Sequence, residues 1–194
     1  MDIIRPIETT YQGVRFRSRL EARWACFFDA LGLEWHYEHE GYETPYGRYL
    51  PDFWLPQVSV ESTSGVLFEV KPSDWRDDLE NHPEMLNPTV EDYLPTTPHL
   101  QLNCVARQLN VGGMLARGFR YDGMYWPGLE EVAPHWDHPM AVDVCGCGAV
   151  SFRIAEGHFR HETHCAKAST WQSLSRVERA YRIASTYRYW EGQR

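Results

Sequence analysis

The sequence has no apolar run approaching the roughly 18 residues that a membrane-spanning helix needs, so no such span is expected. Its first residues, Met1-Asp2-Ile3-Ile4-Arg5-Pro6, lack the apolar core of a secretory signal peptide, which makes a cytoplasmic setting the expectation. The 5 cysteines are an odd number without a secretory signal, which argues against a disulfide framework. No internal repeat is visible. Positive charge is also short: 19 Lys and Arg face 27 Asp and Glu, for a net charge of -8. Taken whole, that balance speaks against nucleic-acid binding.

The distribution of charge weakens that last exclusion. Between Ser73 and Pro98 seven acids (Asp74, Asp77, Asp78, Glu80, Glu84, Glu91 and Asp92) face Arg76 alone. From Ser151 to Arg194, eight Lys and Arg face four acids. The acidity is thus concentrated in one segment, and the C-terminal part is basic. An apolar fraction of 43% with 14% aromatics supports a real core, and 194 residues suit one catalytic domain with a small appendage.

Ser18 to Leu31 reads as a helix, because Leu20, Trp24, Phe27, Phe28 and Leu31 fall on one face. Ser18 and Glu21 have capping-box spacing, and Gly32 stands where a C-terminal cap belongs. Leu33 to Glu38 reads as extended. Tyr46 to Leu55 reads as a hairpin arm in which Pro51 marks a strand edge or bulge. Val66 to Lys71 reads as a buried strand stopped by Pro72. The acidic, proline-bearing 73–98 stretch reads as loop, Leu100–Val105 and Phe119–Trp126 as strands, and Pro127–Pro139 as a linker. A last helix is expected over Ser173–Trp190, with Ser175 and Glu178 as a second capping pair.

The chemistry is concentrated at Asp52 and, seventeen positions later, Glu69-Val70-Lys71. Alternate residues of a strand share a face, so Glu69 and Lys71 point one way while Phe68 and Val70 point the other. Two ionisable groups thus interrupt a strand that otherwise reads as buried, which costs several kcal/mol per ion unless they are paired or metal-bound. A divalent cation shared by Asp52, Glu69 and the Val70 carbonyl, with Lys71 beside it, would supply the compensation. Mg²⁺ or Mn²⁺ suits such oxygen ligands. The bland alternative is a surface Glu69–Lys71 pair on an exposed sheet face.

Pro51-Asp52…Glu69-Val70-Lys71 resembles the signature of the PD-(D/E)XK nuclease superfamily. The order helix, hairpin, Glu-x-Lys strand is similar too. The stretches Phe16–Trp24, Tyr37-Glu38 and Tyr49–Phe53 resemble small nuclease-like proteins of actinobacteria and their phages. The similarity covers roughly residues 10 to 72 and fades from 73 to 140, where the family's next helix is not obvious. It implies an α/β fold with a mixed central sheet flanked by helices, a restriction-endonuclease-like core over 1–130. It also implies Mg²⁺-dependent hydrolysis of DNA phosphodiesters by Asp52, Glu69 and Lys71. In the family a glutamate on the preceding helix joins the metal site; Glu21 stands there, and cap and ligand remain alternative roles for it. Arg17 and Arg19, at a helix start that favours anions, are candidate phosphate contacts, with a solvated basic face as the alternative.

Residues 140–194 carry a separate signal. Cys145-Gly146-Cys147 is followed by His161 and Cys165, four soft ligands suited to a closed tetrahedral Zn²⁺ site in a small C-terminal element. His158 and His164 are alternative fourth ligands, and free thiols with surface histidines are the plain reading. A reading from another class is a nuclease-fold protein without efficient catalysis, serving to bind DNA or a host or phage protein.

Overall fold

The computed structural model describes residues 6–60, 63–73, 98–121, 129–131, 140–144, 149–154 and 170–188. Helix α1 (Arg19–Leu31) starts as its sequence requires. Ser18 is extended (φ −142, ψ 157), and its Oγ accepts the Glu21 amide at 3.1 Å. The helix stops at Gly32, whose φ of 75° is left-handed and whose N–H donates to the Asp29 carbonyl at 2.9 Å. Trp24, Phe27, Phe28 and Leu31 are all buried, so one face of α1 supplies much of the core.

A mixed sheet forms the centre. Its strands are β3 (His36–Tyr37), β6 (Phe53–Val60), β7 (Thr63–Lys71), β8 (Gly112–Arg117), β9 (Leu129–Glu131), β10 (Met140–Val144) and β11 (Val150–Ile154). The spatial order is β10-β11-β6-β7-β8-β9, and β3 pairs with the start of β6. β6 and β7 form an antiparallel hairpin, whereas β7–β8 and β11–β6 are parallel. The outer edge of β6 is therefore shared, β3 taking Phe53–Trp54 and β11 taking Val58–Val60. Two small hairpins stand apart from this sheet: β1 (Thr9–Tyr11) with β2 (Val14–Phe16), and β4 (Tyr42–Thr44) with β5 (Gly47–Tyr49).

Alternation along β7 divides the core in two. Val66, Phe68 and Val70 join the larger cluster with α1 and with α3 (Thr170–Thr186). Leu67 joins Tyr49, Leu102, Val105 and Leu115 on the other face, beneath α2 (Pro98–Leu109). Among the described residues, Phe68 lies within 6 Å of three aromatic ring centres: Trp24 at 4.9 Å, Phe28 at 5.3 Å and Phe152 at 5.9 Å. The Gly118 N–H donates to the Lys71 carbonyl at 2.7 Å, and the Gly118 carbonyl accepts the Trp24 indole N–H at 3.0 Å. One residue thus ties the end of β7 to α1.

Several local expectations are corrected. Leu100–Val105 lies in helix α2 rather than a strand, because Leu102, Val105 and Ala106 are buried at helical spacing. A strand, β8, precedes the one expected over Phe119–Trp126, of which only Phe119–Tyr121 is described. Phe119 to Tyr121 is irregular, and residues 122–128 lie outside the described residues. The Tyr46–Leu55 arm is split between β5 and β6. Pro51 precedes β6, and the break in register falls between Leu55 and Ser59, around Pro56, which has no N–H to donate. β9 interrupts the 127–139 linker. α3 begins at Thr170, so Ser175 is interior to it rather than at its start. Its Val177, Ala180 and Ala184 are buried while Arg176, Arg179 and Arg182 face solvent. The described parts of 140–188 complete the main sheet and pack on α1. No helix among the described residues is long and apolar enough to cross a membrane.

Candidate functional site

Among the described residues, the buried acidic side chains are Glu21, Asp52 and Glu69, with exposures of 7%, 2% and 3%. They arrive from three elements. Glu21 lies in the first turn of α1, Asp52 immediately before β6, and Glu69 near the end of β7. The β6–β7 pairing aligns Phe53 with Phe68, which brings Asp52 alongside Glu69 and Val70.

Each carboxylate is held by named donors. Asp52 Oδ2 accepts the Val70 amide at 2.7 Å, and Oδ1 is ion-paired with the Arg17 guanidinium. Glu69 Oε1 accepts from Lys71 Nζ at 2.5 Å, and Oε2 accepts the Tyr49 hydroxyl at 2.7 Å. Glu21 Oε1 accepts the Ser18 hydroxyl at 2.6 Å, while Oε2 accepts the Tyr37 hydroxyl and, at 3.2 Å, the Arg17 amide. Glu21 therefore closes the start of α1 and faces the cluster at once; Tyr37, on β3, connects the two settings. Arg17 Nε also meets Glu38 at 2.9 Å.

Burial raises the Asp52 carboxyl well above the usual range, and the charges of Glu69 and Glu21 push it the same way. The Val70 amide and Lys71 oppose the shift without cancelling it. Burial likewise raises the Tyr49 and Tyr37 phenols, with Glu69 and Glu21 adding to the effect, so both remain hydrogen-bond donors at neutral pH. Burial works against the Arg17 charge, but Asp52, Tyr37 and Glu38 outweigh it and raise the guanidinium's proton affinity. The cluster thus holds more negative charge than its neighbours balance.

Asp52, Glu69 and Lys71 lie side by side, and Glu21 joins them through Arg17, which pairs with both Glu21 and Asp52. Glu69 and Lys71 share a strand face opposite Phe68 and Val70, and Glu69 is buried rather than set on a solvated sheet surface. Val70 contributes its amide, to Asp52. Arg17 turns its guanidinium into the carboxylates, while Arg19 lies exposed at the start of α1. Among the described residues no three His, Cys, Asp or Glu side chains converge as a ready metal cage. The four oxygens of Asp52 and Glu69 are engaged by protein donors, with Arg17 and Lys71 supplying the positive charge. Cys145, Cys147, His161 and Cys165, with His158 and His164, lie outside the described residues. Tyr37, Glu38 and Tyr49 are the members that residue type and spacing did not single out. Tyr37 and Tyr49 each end a short strand, and Glu38 follows one, positions too common to select.

Compared with protein-family models, with curated proteins and with solved structures, the chain finds no match.

Proposed function

We propose that the chain is a metal-dependent DNA endonuclease of the PD-(D/E)XK type, with a restriction-endonuclease-like core built on α1, β6, β7, α2 and β8. The observation that carries this reading is the burial of Glu21, Asp52 and Glu69 in one cluster beside Lys71. Burying three acids together is unfavourable in a purely structural role. The helix that the resemblance calls for after the Glu-x-Lys strand has a counterpart in α2, which leads into the parallel strand β8.

The donor set fits Mg²⁺ or Mn²⁺: hard carboxylate oxygens with an excess of negative charge, at Asp52 and Glu69, with the Val70 main chain alongside. Asp52 and Glu69 would hold such a cation, which would supply charge neutralisation at the scissile phosphate and an activated water. Lys71, half-sheltered beside Glu69, orients that water or stabilises the developing charge. Tyr49 keeps Glu69 in one rotamer, and the Val70 amide does the same for Asp52. Arg17 exchanges its Asp52 contact for a phosphate as the site fills, remaining anchored through Glu38.

The proposal extends to a cytoplasmic setting, DNA as the main partner and a structural Zn²⁺ held by Cys145, Cys147, His161 and Cys165 in the C-terminal element. The test is cleavage of linear, supercoiled and branched DNA with Mg²⁺ and with Mn²⁺. If the chain cuts none of them and binds neither ion, the alternative stands: a nuclease-fold protein that binds DNA or a host or phage protein.

A further inference from the structure

Next to the acidic cluster, on the outer side of Tyr37, lies an open groove of about 410 Å³ lined by Gln12, Val14, Trp35, His36, Tyr37 and His39. Its volume falls in the range that accommodates small ring systems. Four of the six residues carry aromatic rings, and none is acidic, although acids outnumber bases across the chain. The floor is fixed. Trp35 packs on Phe16 and Phe53 at 5.8 and 5.9 Å and donates its indole N–H to Asp29 at 2.9 Å. Tyr37 packs on Phe16 at 4.5 Å, and its hydroxyl is held by Glu21 and Arg17. The rim is different: Gln12 and His39 are exposed, and the His36 and His39 rings lie 5.0 Å apart.

Two backbone features hold this rim. Gln12 takes a left-handed φ of 47° in the β1–β2 turn. Glu38 takes φ 46°, which sends its carboxylate to Arg17 while His36, Tyr37 and His39 line the groove. Left-handed backbone at a non-glycine residue is uncommon and is maintained here by surrounding contacts.

We infer that this groove is a stacking subsite for one unpaired base of a DNA strand whose backbone is held at Arg17 and the carboxylate cluster. A rigid aromatic floor, an adjustable amide at the rim and the Arg17 guanidinium beside the Tyr37 hydroxyl match what an unstacked base and its phosphate require. A base within a duplex is already stacked on both faces and has no face to offer Trp35, His36 or His39. The groove therefore directs the site toward single-stranded or frayed DNA. This substrate assignment rests on the nuclease reading, but the groove's binding can be measured without cleavage.

The experiment compares a labelled single strand with the same sequence as a duplex by fluorescence anisotropy, in chelator so that nothing is cut. The wild-type chain is set against His39→Ala, Gln12→Ala and His39→Phe. His39→Ala is expected to weaken single-strand binding at least about fivefold, the loss of one stacked base, with duplex binding unchanged. His39→Phe should restore it, because the ring and not the imidazole nitrogens does the stacking. Equal affinity of the wild type for both forms, an unchanged single-strand affinity in His39→Ala, or no recovery in His39→Phe would each overturn the inference. Strand-selective binding without cleavage in Mg²⁺ or Mn²⁺ would sink the nuclease reading and leave the subsite standing. Cleavage of duplex with an unaltered His39→Ala variant would do the reverse.

Discussion

The Val70 amide donates to Asp52 Oδ2 at 2.7 Å, so the backbone of the Glu-x-Lys strand itself orients the aspartate that precedes its partner strand. The contact is buried, and Asp52 is oriented before any substrate arrives.

Its protonation gives the first prediction. The folded chain holds the Asp52 proton more tightly than the unfolded chain, where the carboxyl titrates near 3.9. Between that value and the raised one, the folded state binds more protons, so this residue's contribution to stability falls as pH rises and stays lost above the window. Asp52→Asn should remove that slope and raise the melting temperature in chelator at neutral pH. On the proposed function, Mn²⁺ should stabilise the wild type and not Asp52→Asn. Melts at pH 5 and pH 8, with and without Mn²⁺, check both; matching pH dependence in the two proteins would refute the account.

Lys71→Ala and Glu69→Ala should each abolish cleavage. They should differ in stability. Lys71→Ala leaves a buried carboxylate with Tyr49 as its donor, costing about 3–5 kcal/mol if no cation replaces the ammonium. Glu69→Ala frees a partly exposed lysine and costs less. Denaturant unfolding beside the cleavage assay separates the two. A cleaving Glu69→Ala variant would remove Glu69 from the chemistry.

Tyr49→Phe removes the donor to Glu69 Oε2 in a buried setting, at a cost of about 1–3 kcal/mol. Activity should fall through kcat rather than KM, because Tyr49 holds Glu69 and does not reach the substrate. A change confined to KM would argue for a direct substrate contact instead.

Glu21→Gln retains an acceptor for Ser18 but loses charge beside Asp52. Activity should drop while thermal stability changes by less than a helix-cap deletion, about 1 kcal/mol. Lower stability with unchanged activity would leave Glu21 as a cap.

The C-terminal cysteines yield a test of a different kind. Protein purified without a histidine tag should carry about one zinc per chain, and Cys145→Ser or Cys165→Ser should lose it, as expected of a closed four-ligand site. Zinc at trace level, with all thiols reactive in the native protein, would remove the site.

What was legible in the sequence was local. Helix α1 announced itself through Ser18, Gly32 and a one-sided run of aromatics, and β7 through its unbroken apolar stretch. Alternation alone was enough to put Glu69 and Lys71 on one face. The alternation of Leu100 and Leu102 suggests a short strand, whereas in α2 it is Leu102 and Val105, three apart on one helical face, that pack with Leu67 and Leu115. The donors Tyr37 and Tyr49 were hidden for another reason. Their partners Glu21 and Glu69 lie 16 and 20 residues away, and nothing in local spacing reports a contact made by folding. Gly118 was invisible in the same way.

That glycine also bears on how the site comes into being. Lys71 ends its strand on the Gly118 N–H, and Gly118 accepts from Trp24, 94 residues earlier in the chain. A contact that closes so long a loop is slow to form and late to repay its entropy. A fragment ending near residue 73 would contain Glu21, Asp52, Glu69 and Lys71, yet would lack β8 and the clasp that seats α1 against the end of β7. The signature residues all fall in the first part of the sequence, but the clasp that seats α1 against the end of β7 is supplied by residue 118, a position with no chemistry of its own.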